Sequence, residues 1–208
     1  CTEMAGKIVH IPRVLYHWRV HSASTADNPA SKLYAYEAGK KAIEGNLARC
    51  GEEGTVTLRS DYGFYDVDYK LQGTPLVSIL IPNKDQADTL RTCLESIKKK
   101  CMYPSYEILI IENNSTEEAT FSYYKELEAQ GIRVLKYPKQ GFNYSAINNF
   151  GVKEAKGEYL LFLNNDMEII TPDFMEKMVS NLQRPQIGAV GAKLYYPDNT
   201  VQHAGIII

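Results

Sequence analysis

From residue 76 onward, short apolar runs alternate with longer segments in which apolar residues recur every three or four positions. "LVSILIP" (76–82), "YEILIIE" (106–112), "IRVLKY" (132–137) and "EYLLFL" (158–163) have strand length and are largely apolar throughout. That is the pattern of strands covered on both faces. Between them, "ADTLRTCLESIKKKC" (87–101) puts Leu90, Cys93, Leu94, Ile97 and Cys101 on one helical face. "EEATFSYYKELEAQ" (117–130) and "YSAINNFGVKEAK" (144–156) read as further helices, closed by Gly131 and Gly157. "TPDFMEKMVSNLQ" (171–183) reads as a helix with Thr171 as N-cap and Pro172 in its first turn. "IGAVGAKLYY" (187–196) then reads as a strand, and Asp198-Asn199 as a turn into a last one. Strands alternating with helices of this length predict an α/β fold, a mostly parallel Rossmann-like sheet flanked by helices.

Residues 1–73 have a different texture, and "QGTP" (72–75) marks the boundary, giving a connector over 1–73 and a domain over 74–208. "IVHIPRVLYHWRVHSAST" (8–25) mixes short apolar pieces with aromatics. "NPASKLYAYEAGKKAIEGNLARCG" (28–51) approximates a helical stripe through Leu33, Tyr36, Ala42, Ile43 and Leu47, with Gly51 as its stop. "TVTLRSDYGFYDVDYKL" (55–71) alternates as an antiparallel hairpin does, with a turn near Asp61-Tyr62-Gly63. This first region therefore reads as a smaller mixed α+β segment.

In a parallel sheet covered by helices, ligands sit outside the carboxyl ends of the strands. Polar clusters follow three of the strands: Pro82-Asn83-Lys84-Asp85, Glu112-Asn113-Asn114-Ser115-Thr116 and Asn164-Asn165-Asp166. Each taken alone could be a turn or a helix cap. Together, at one sheet edge, they point to a shared crevice. Neither a GxGxxG nor a GxxxxGK[ST] loop is present, so no backbone phosphate cradle of those kinds is supported. A carboxylate beside amide oxygens suits a hard divalent cation that takes its remaining ligands from water and phosphate. Asp166 fits that role, with Asn164 as a weaker neighbour.

Composition narrows the classes. The 208 residues carry a net charge of −2 and are 44% hydrophobic, which argues against a dedicated nucleic-acid binder. No apolar run approaches the roughly 18 residues of a membrane span, and no charged start precedes an apolar stretch. Cys1, Cys50, Cys93 and Cys101 form no CxxC pair and read as reduced thiols of a cytoplasmic protein. Cys93 and Cys101, eight residues apart on one helix, lie too far apart to bridge. The chain starts without Met and stops within Ile206-Ile207-Ile208, so it reads as an excerpt from a longer protein.

"VSILIPNKD" (77–85), "YEILIIENNST" (106–116), "NYSAINNFGVKEAKGEYLLFLNND" (143–166) and "GAKLYYPDNTVQHAG" (191–205) occur in the order and spacing of a known family. Residues 76–208 resemble the nucleotide-sugar-binding half of a family 2 glycosyltransferase with the GT-A fold. The resemblance implies transfer of a sugar from a UDP- or dTDP-linked donor to a glycan or lipid-linked acceptor, in polysaccharide or surface-glycan synthesis. Pro82, Asn83 and Asp85 would contact the nucleotide. Glu112 and Asn113 take the place of an acidic position that addresses base or ribose, where the family more often has Asp. Asn148 corresponds to a recurrent Asn in the preceding helix. Asn164, Asn165 and Asp166 replace the family's Asp-x-Asp motif, with Asn in the first place and Asp166 binding Mg²⁺ or Mn²⁺. The general base would lie beyond residue 208, so the excerpt alone is expected to bind donor and show little transfer.

Residues 10–25 are similar to the end of a preceding glycosyltransferase domain, which implies two such domains in the parent chain. His17 or His21 could then serve a metal site there, although a packing cluster with Tyr16 and Trp18 is favoured. His203 reads as a turn or sheet-edge residue ahead of a sugar contact. Tyr123-Tyr124 and Tyr195-Tyr196 read as core and rim. Lys98–Lys100 reads as a solvated helix end, suited to the negative pole of the helix dipole, with contact at the inner membrane face as the alternative. Two competing readings stand beside the transferase. One is an inactive nucleotide-sugar-binding or assembly domain, kept open by Asn164. The other, ranked lower, is a nucleotidyltransferase, which usually has a Gly-rich basic loop where "PNKDQAD" stands.

Overall fold

A computed structural model of the chain describes residues 5–21, 24 and 27–205. The chain forms two compact units, Cys1–Asp68 and Tyr69–Ile208.

In the first unit a 3-10 turn, Pro29–Lys32, leads into helix α1, Leu33–Cys50. The Asn28 side chain accepts from the Ala30 N–H and so starts the turn. Gly51 ends the helix in the left-handed region at φ 69°, the conformation in which glycine avoids a Cβ clash. Strands β1, Gly54–Leu58, and β2, Tyr65–Tyr69, form a two-stranded sheet. Their connection is closed by the Arg59 N–H donating to Phe64 O, with Tyr62 and Gly63 both at positive φ. Among the described residues Leu47 and Val56 are the buried apolar side chains of this unit, and the Tyr65 hydroxyl donates to Tyr36 O. Residues 8–20 depart from the expected packing cluster: Tyr16 is 79% and Trp18 65% exposed, in a stretch without regular secondary structure.

The second unit is built on a four-stranded parallel sheet in the order β5-β4-β3-β6. The strands are β3, Val77–Asn83; β4, Tyr106–Glu112; β5, Arg133–Lys136; and β6, Tyr159–Phe162. The register aligns Asn83 with Glu112 and Leu80 with Phe162. The inner strands β3 and β4 are almost wholly buried, and the edge strands β5 and β6 half so. Helices α2, Ala87–Lys100, and α3, Glu118–Ala129, belong to one core layer. That layer joins Ile79, Ile81, Ile108 and Ile110 of the sheet to Leu90, Leu94, Ile97, Tyr123, Tyr124 and Leu127. Helix α4, Tyr144–Glu154, covers the alternate residues Leu80, Leu109 and Ile111 through Ile147. Apolar residues on both strand faces thus meet helices on both sides, which makes the fold α/β.

Two sequence expectations shift. The helix expected from Thr171 begins later, as α5, Phe174–Leu182, with Asp173 at the N-cap position. Thr171, Pro172 and Asp173 form the turn before it, in which the Phe174 N–H donates to Thr171 O. The strand expected over 187–196 shrinks to β7, Leu194–Tyr195, paired antiparallel with β8, Val201–His203. Residues 187–193 hold no regular structure and join no strand of the main sheet. An apolar run is held as a strand by a neighbour that takes its backbone hydrogen bonds; without one, Gly188 and Gly191 leave this run free to depart from it. His203 is exposed in β8, as a sheet-edge residue is.

Candidate functional site

In chain order β3 is followed outward by β4 and β5, and the chain then returns to add β6 on the other side of β3. The strand order therefore reverses beside β3, and a crevice opens there at the carboxyl edge. The three clusters singled out in the sequence follow β4, β3 and β6, which are immediate neighbours. Two adjoining lobes occupy this edge. The first, of about 460 Å³, is lined by Pro82, Asn83, Lys84, Asn113, Asn114, Gln140, Gly141, Phe142 and Asn165. The second, of about 400 Å³, is lined by Pro82, Phe142, Tyr144, Asn164, Asn165 and Asp166. Pro82, Phe142 and Asn165 belong to both walls.

Side-chain amides tie the strand ends together. Asn83, 2% exposed, donates from Nδ2 to Asp85 O at 2.9 Å and to the Tyr124 hydroxyl at 2.7 Å. Its Oδ1 accepts from Asn165 Nδ2 at 2.7 Å, which links β3 to the segment after β6. The Asn113 N–H donates to Asn83 O at 2.8 Å, linking β3 to the segment after β4. Asn114, at φ 60°, donates from Nδ2 both to Asn113 Oδ1 and to Lys139 O, each at 2.9 Å. Beneath Asn164, Cys93 is buried in α2 with its Sγ 3.8 Å from Asn164 O. Burial pushes its thiol up to about 11, and the Asp166 charge adds to that.

Six of the nine residues expected at the site lie on these walls: Pro82, Asn83, Asn113, Asn164, Asn165 and Asp166. The other three are turned to internal work. The Asp85 carboxylate accepts from the Thr116 N–H at 2.7 Å and the Glu117 N–H at 2.9 Å, at the start of α3. Those two backbone donors, Glu117 first, hold it below the usual carboxylate range. Glu112 is 4% exposed and accepts from the Ser115 N–H at 2.5 Å, shaping the loop after β4. Asn148 is 5% exposed and donates to Tyr144 O within α4, while its Oδ1 is buried without a hydrogen-bond partner among the described residues. These three therefore position the loops and the helix that form the walls.

The walls also include Lys84 and Asn114, members of the polar clusters given no separate role from sequence, and Gln140, Gly141, Phe142 and Tyr144, which were not assigned to the site. Residues 140–142 come from the loop after β5. The rule that polar residues after strands line the crevice applies to "KQGFN" (139–143) as well as to the three clusters named above. Phe142 is 75% exposed on this loop, an aromatic face open to a ligand.

Asp166 is exposed and, among the described residues, forms no hydrogen bond or ion pair within the chain. Among the described residues no group of three or more His, Cys, Asp or Glu could hold a metal ion by itself. The donor set is one free carboxylate with the amides of Asn164 and Asn165 on the same wall. It fits a Mg²⁺ or Mn²⁺ ion that takes most of its ligands from water and a bound phosphate, and does not amount to a complete metal cage.

Comparison with known proteins agrees with this architecture. Residues 78–205 match the family described as Glycosyl transferase family 2. The whole chain is 44% identical over 207 residues to the O-antigen biosynthesis protein RfbC of Myxococcus xanthus, of which it spans 16%. It is 42% identical over 205 residues, 97% of its length, to the uncharacterized protein y4gI of Sinorhizobium fredii, of which it spans 22%. The chain thus covers less than a quarter of each of these relatives. Among solved structures, the mannosyltransferase PcManGT from Pyrobaculum calidifontis, in complex with GDP-Man and Mn²⁺, aligns with a TM-score of 0.53. The alignment has 17% identity and covers 82% of this chain and 47% of that one, a likeness of fold. With the family match spanning all four parallel strands from Ser78 through β6 and on past the β7–β8 pair, the chain belongs to glycosyl transferase family 2.

Proposed function

We propose that this chain binds the nucleoside-diphosphate end of a sugar donor in the two-lobed crevice. The protein it belongs to then transfers that sugar to a glycan or lipid-linked acceptor in surface-polysaccharide synthesis. One observation carries the reading: residues from the ends of β3, β4 and β6 converge on a single crevice beside the reversal of strand order. Family membership and the Myxococcus relative's role in O-antigen biosynthesis support it.

The chemistry follows from the walls. Asp166 would hold a divalent cation, which when bound would neutralise charge developing on the leaving diphosphate. Lys84, on the wall of the first lobe, adds positive charge for the same anion. The bond from Asn165 Nδ2 to Asn83 turns the Asn165 carbonyl oxygen away from Asn83, leaving an acceptor for a hydroxyl or the cation. Phe142, on both walls, presents exposed apolar surface to a ligand where the lobes meet. Among the described residues Asp166 is the only carboxylate on either wall. A carboxylate that holds a cation cannot also take the acceptor's proton, so the general base comes from outside these walls.

Titration calorimetry with UDP, dTDP and GDP, in Mn²⁺ and again in EDTA, tests the proposal. The expected result is binding that requires the metal and is lost in Asp166→Ala while the melting temperature is kept. Equal binding by Asp166→Ala would remove Asp166 from the site. No binding of any nucleotide by the wild-type chain would remove the proposal itself.

A further inference from the structure

Tyr124, read from sequence as a core residue, is 4% exposed in α3, and its hydroxyl ends among polar groups under the crevice. It receives an N–H from Asn83 at 2.7 Å and stands 3.3 Å from Ser115 Oγ. The direction of each bond in this set follows from a backbone end. Asp85 O can only accept, so the nitrogen of Asn83 faces it, and the oxygen of Asn83 faces Asn165. Asn165 therefore turns its NH₂ inward. Tyr124 accepts from Asn83, so its own hydrogen goes to Ser115 Oγ, its other partner among the described residues. The same Ser115 oxygen accepts the Asp85 N–H at 3.0 Å. Hydrogens thus run inward from the wall, from Asn165 to Asn83, to Tyr124 and to Ser115. What the wall keeps is the Asn165 carbonyl oxygen, which has no protein partner among the described residues and shares the second lobe with Asp166.

From this we propose that Tyr124 is a positioning residue: acting through Asn83, it keeps the Asn165 carbonyl oxygen turned to the second lobe, where a cation held by Asp166 can take it. The proposal rests on the cation reading above. Both hydrogens of the Asn83 nitrogen have acceptors, Asp85 O and the Tyr124 hydroxyl. Removing the hydroxyl leaves one of them buried and unpaired, which is costly. The free acceptor of the set is then the Asn165 oxygen. If it turns inward to meet that N–H, it leaves the lobe and presents an NH₂ group, which cannot bind a cation. Burial pushes the Tyr124 hydroxyl above the usual phenol range, so it keeps the hydrogen that it gives to Ser115. The ring is held separately, edge-on to Phe121 at 6.2 Å and within the core layer of α2 and α3. Loss of the oxygen alone therefore leaves the packing in place.

The test compares the 208-residue chain with Tyr124→Phe, Asn165→Ala and the double variant. Each is titrated with Mn²⁺ in the presence of whichever of UDP, dTDP and GDP binds the wild type most tightly. The readout is the Mn²⁺ concentration that half-saturates nucleotide binding. Tyr124→Phe should raise it about three- to tenfold, and should change it less than about twofold once Asn165 is already Ala. A merely structural role acts by the same factor in both backgrounds. That result, or an unchanged Mn²⁺ requirement in Tyr124→Phe, overturns the proposal and leaves the nucleotide site standing. No nucleotide binding by the wild type overturns both. If Tyr124→Phe fails to fold, the wild type decides through exchange of its side-chain amide hydrogens with water. The Asn165 NH₂, assigned by its absence from Asn165→Ala, should exchange about tenfold or more slowly than that of the exposed Asn199. Exchange as fast as at Asn199 overturns the proposal.

Discussion

At the scale of single residues, the site is held by side chains that do not face the crevice. Asp85 stands in the loop between β3 and α2, and its carboxylate receives two backbone N–H groups at the start of α3. Because those bonds favour the charged form, its folded-state pKa lies below the value in the unfolded chain. A lowered carboxylate pKa gives stability that is complete above the unfolded value and is lost as pH falls through the folded one. Asp85→Ala should therefore melt at a lower temperature than the wild type near neutral pH. The gap should close as pH falls below about 4, the unfolded Asp value. Glu107 shares that window: burial raises its pKa, but Ser78, the Lys156 N–H and Arg133 together lower it on balance. The comparison of variant with wild type cancels Glu107 and isolates Asp85. A gap independent of pH would show that the Asp85 bonds do not matter. Cys93 illustrates the same dependence on surroundings: buried, with its thiol raised to about 11, it is a packing residue beneath the Asn164 loop.

At the scale of elements, the sheet and its helices were legible because the apolar period changes at nearly every boundary. Strand β4 occupies the run read from sequence, and α2 ends at its lysines. Those lysines pair locally, Lys98 with Gln130, Lys99 with Glu95 and Lys100 with Glu168. Gly157, read as a helix stop, has a further reason to be glycine. A Cβ there would sit 2.5 Å from the Ser78 nitrogen and 2.8 Å from the Leu76 oxygen. Both are backbone atoms of the strand's entry and cannot step aside. Gly157→Ala should destabilise the chain by about 1–3 kcal/mol in urea unfolding. Gly188→Ala, with nothing within 4 Å of its added Cβ, should be near neutral. Equal effects of the two would show that close packing at Ser78 does not constrain the fold. The ends of the main sheet were harder to read. Thr171 and Asp173 are both good N-cap residues, and only the turn through Phe174 decides between them.

At the scale of the whole molecule, every residue of both lobes belongs to the unit Tyr69–Ile208. A fragment of residues 69–208 should therefore bind the preferred nucleotide within about threefold of the full chain, well under 1.4 kcal/mol. A tenfold loss in calorimetry, with the fragment folded by circular dichroism, would show that residues before 69 contribute to the site. The order of residues alone set the α/β class, the positions of most strands and helices and the edge that carries the candidate site. These follow from local periodicity and from the rule that parallel strands place their ligands at their carboxyl ends. It also placed Asn83, Asn113, Asn164, Asn165 and Asp166 at that edge. Tertiary structure decided which polar groups remain free to meet a ligand. Asp85, Glu112 and Asn148 carry the right chemistry near that edge, yet backbone donors claim both carboxylates, that of Glu112 in a buried setting, and the helix encloses the amide. Phe142 and Gln140 were joined to the crevice because β5 runs parallel beside β4. Hydrogen-bond capacity is spent partly within one loop or helix, as at Glu112 and Asn148, and partly between segments distant in sequence, as at Asp85, and only the folded structure shows what is left.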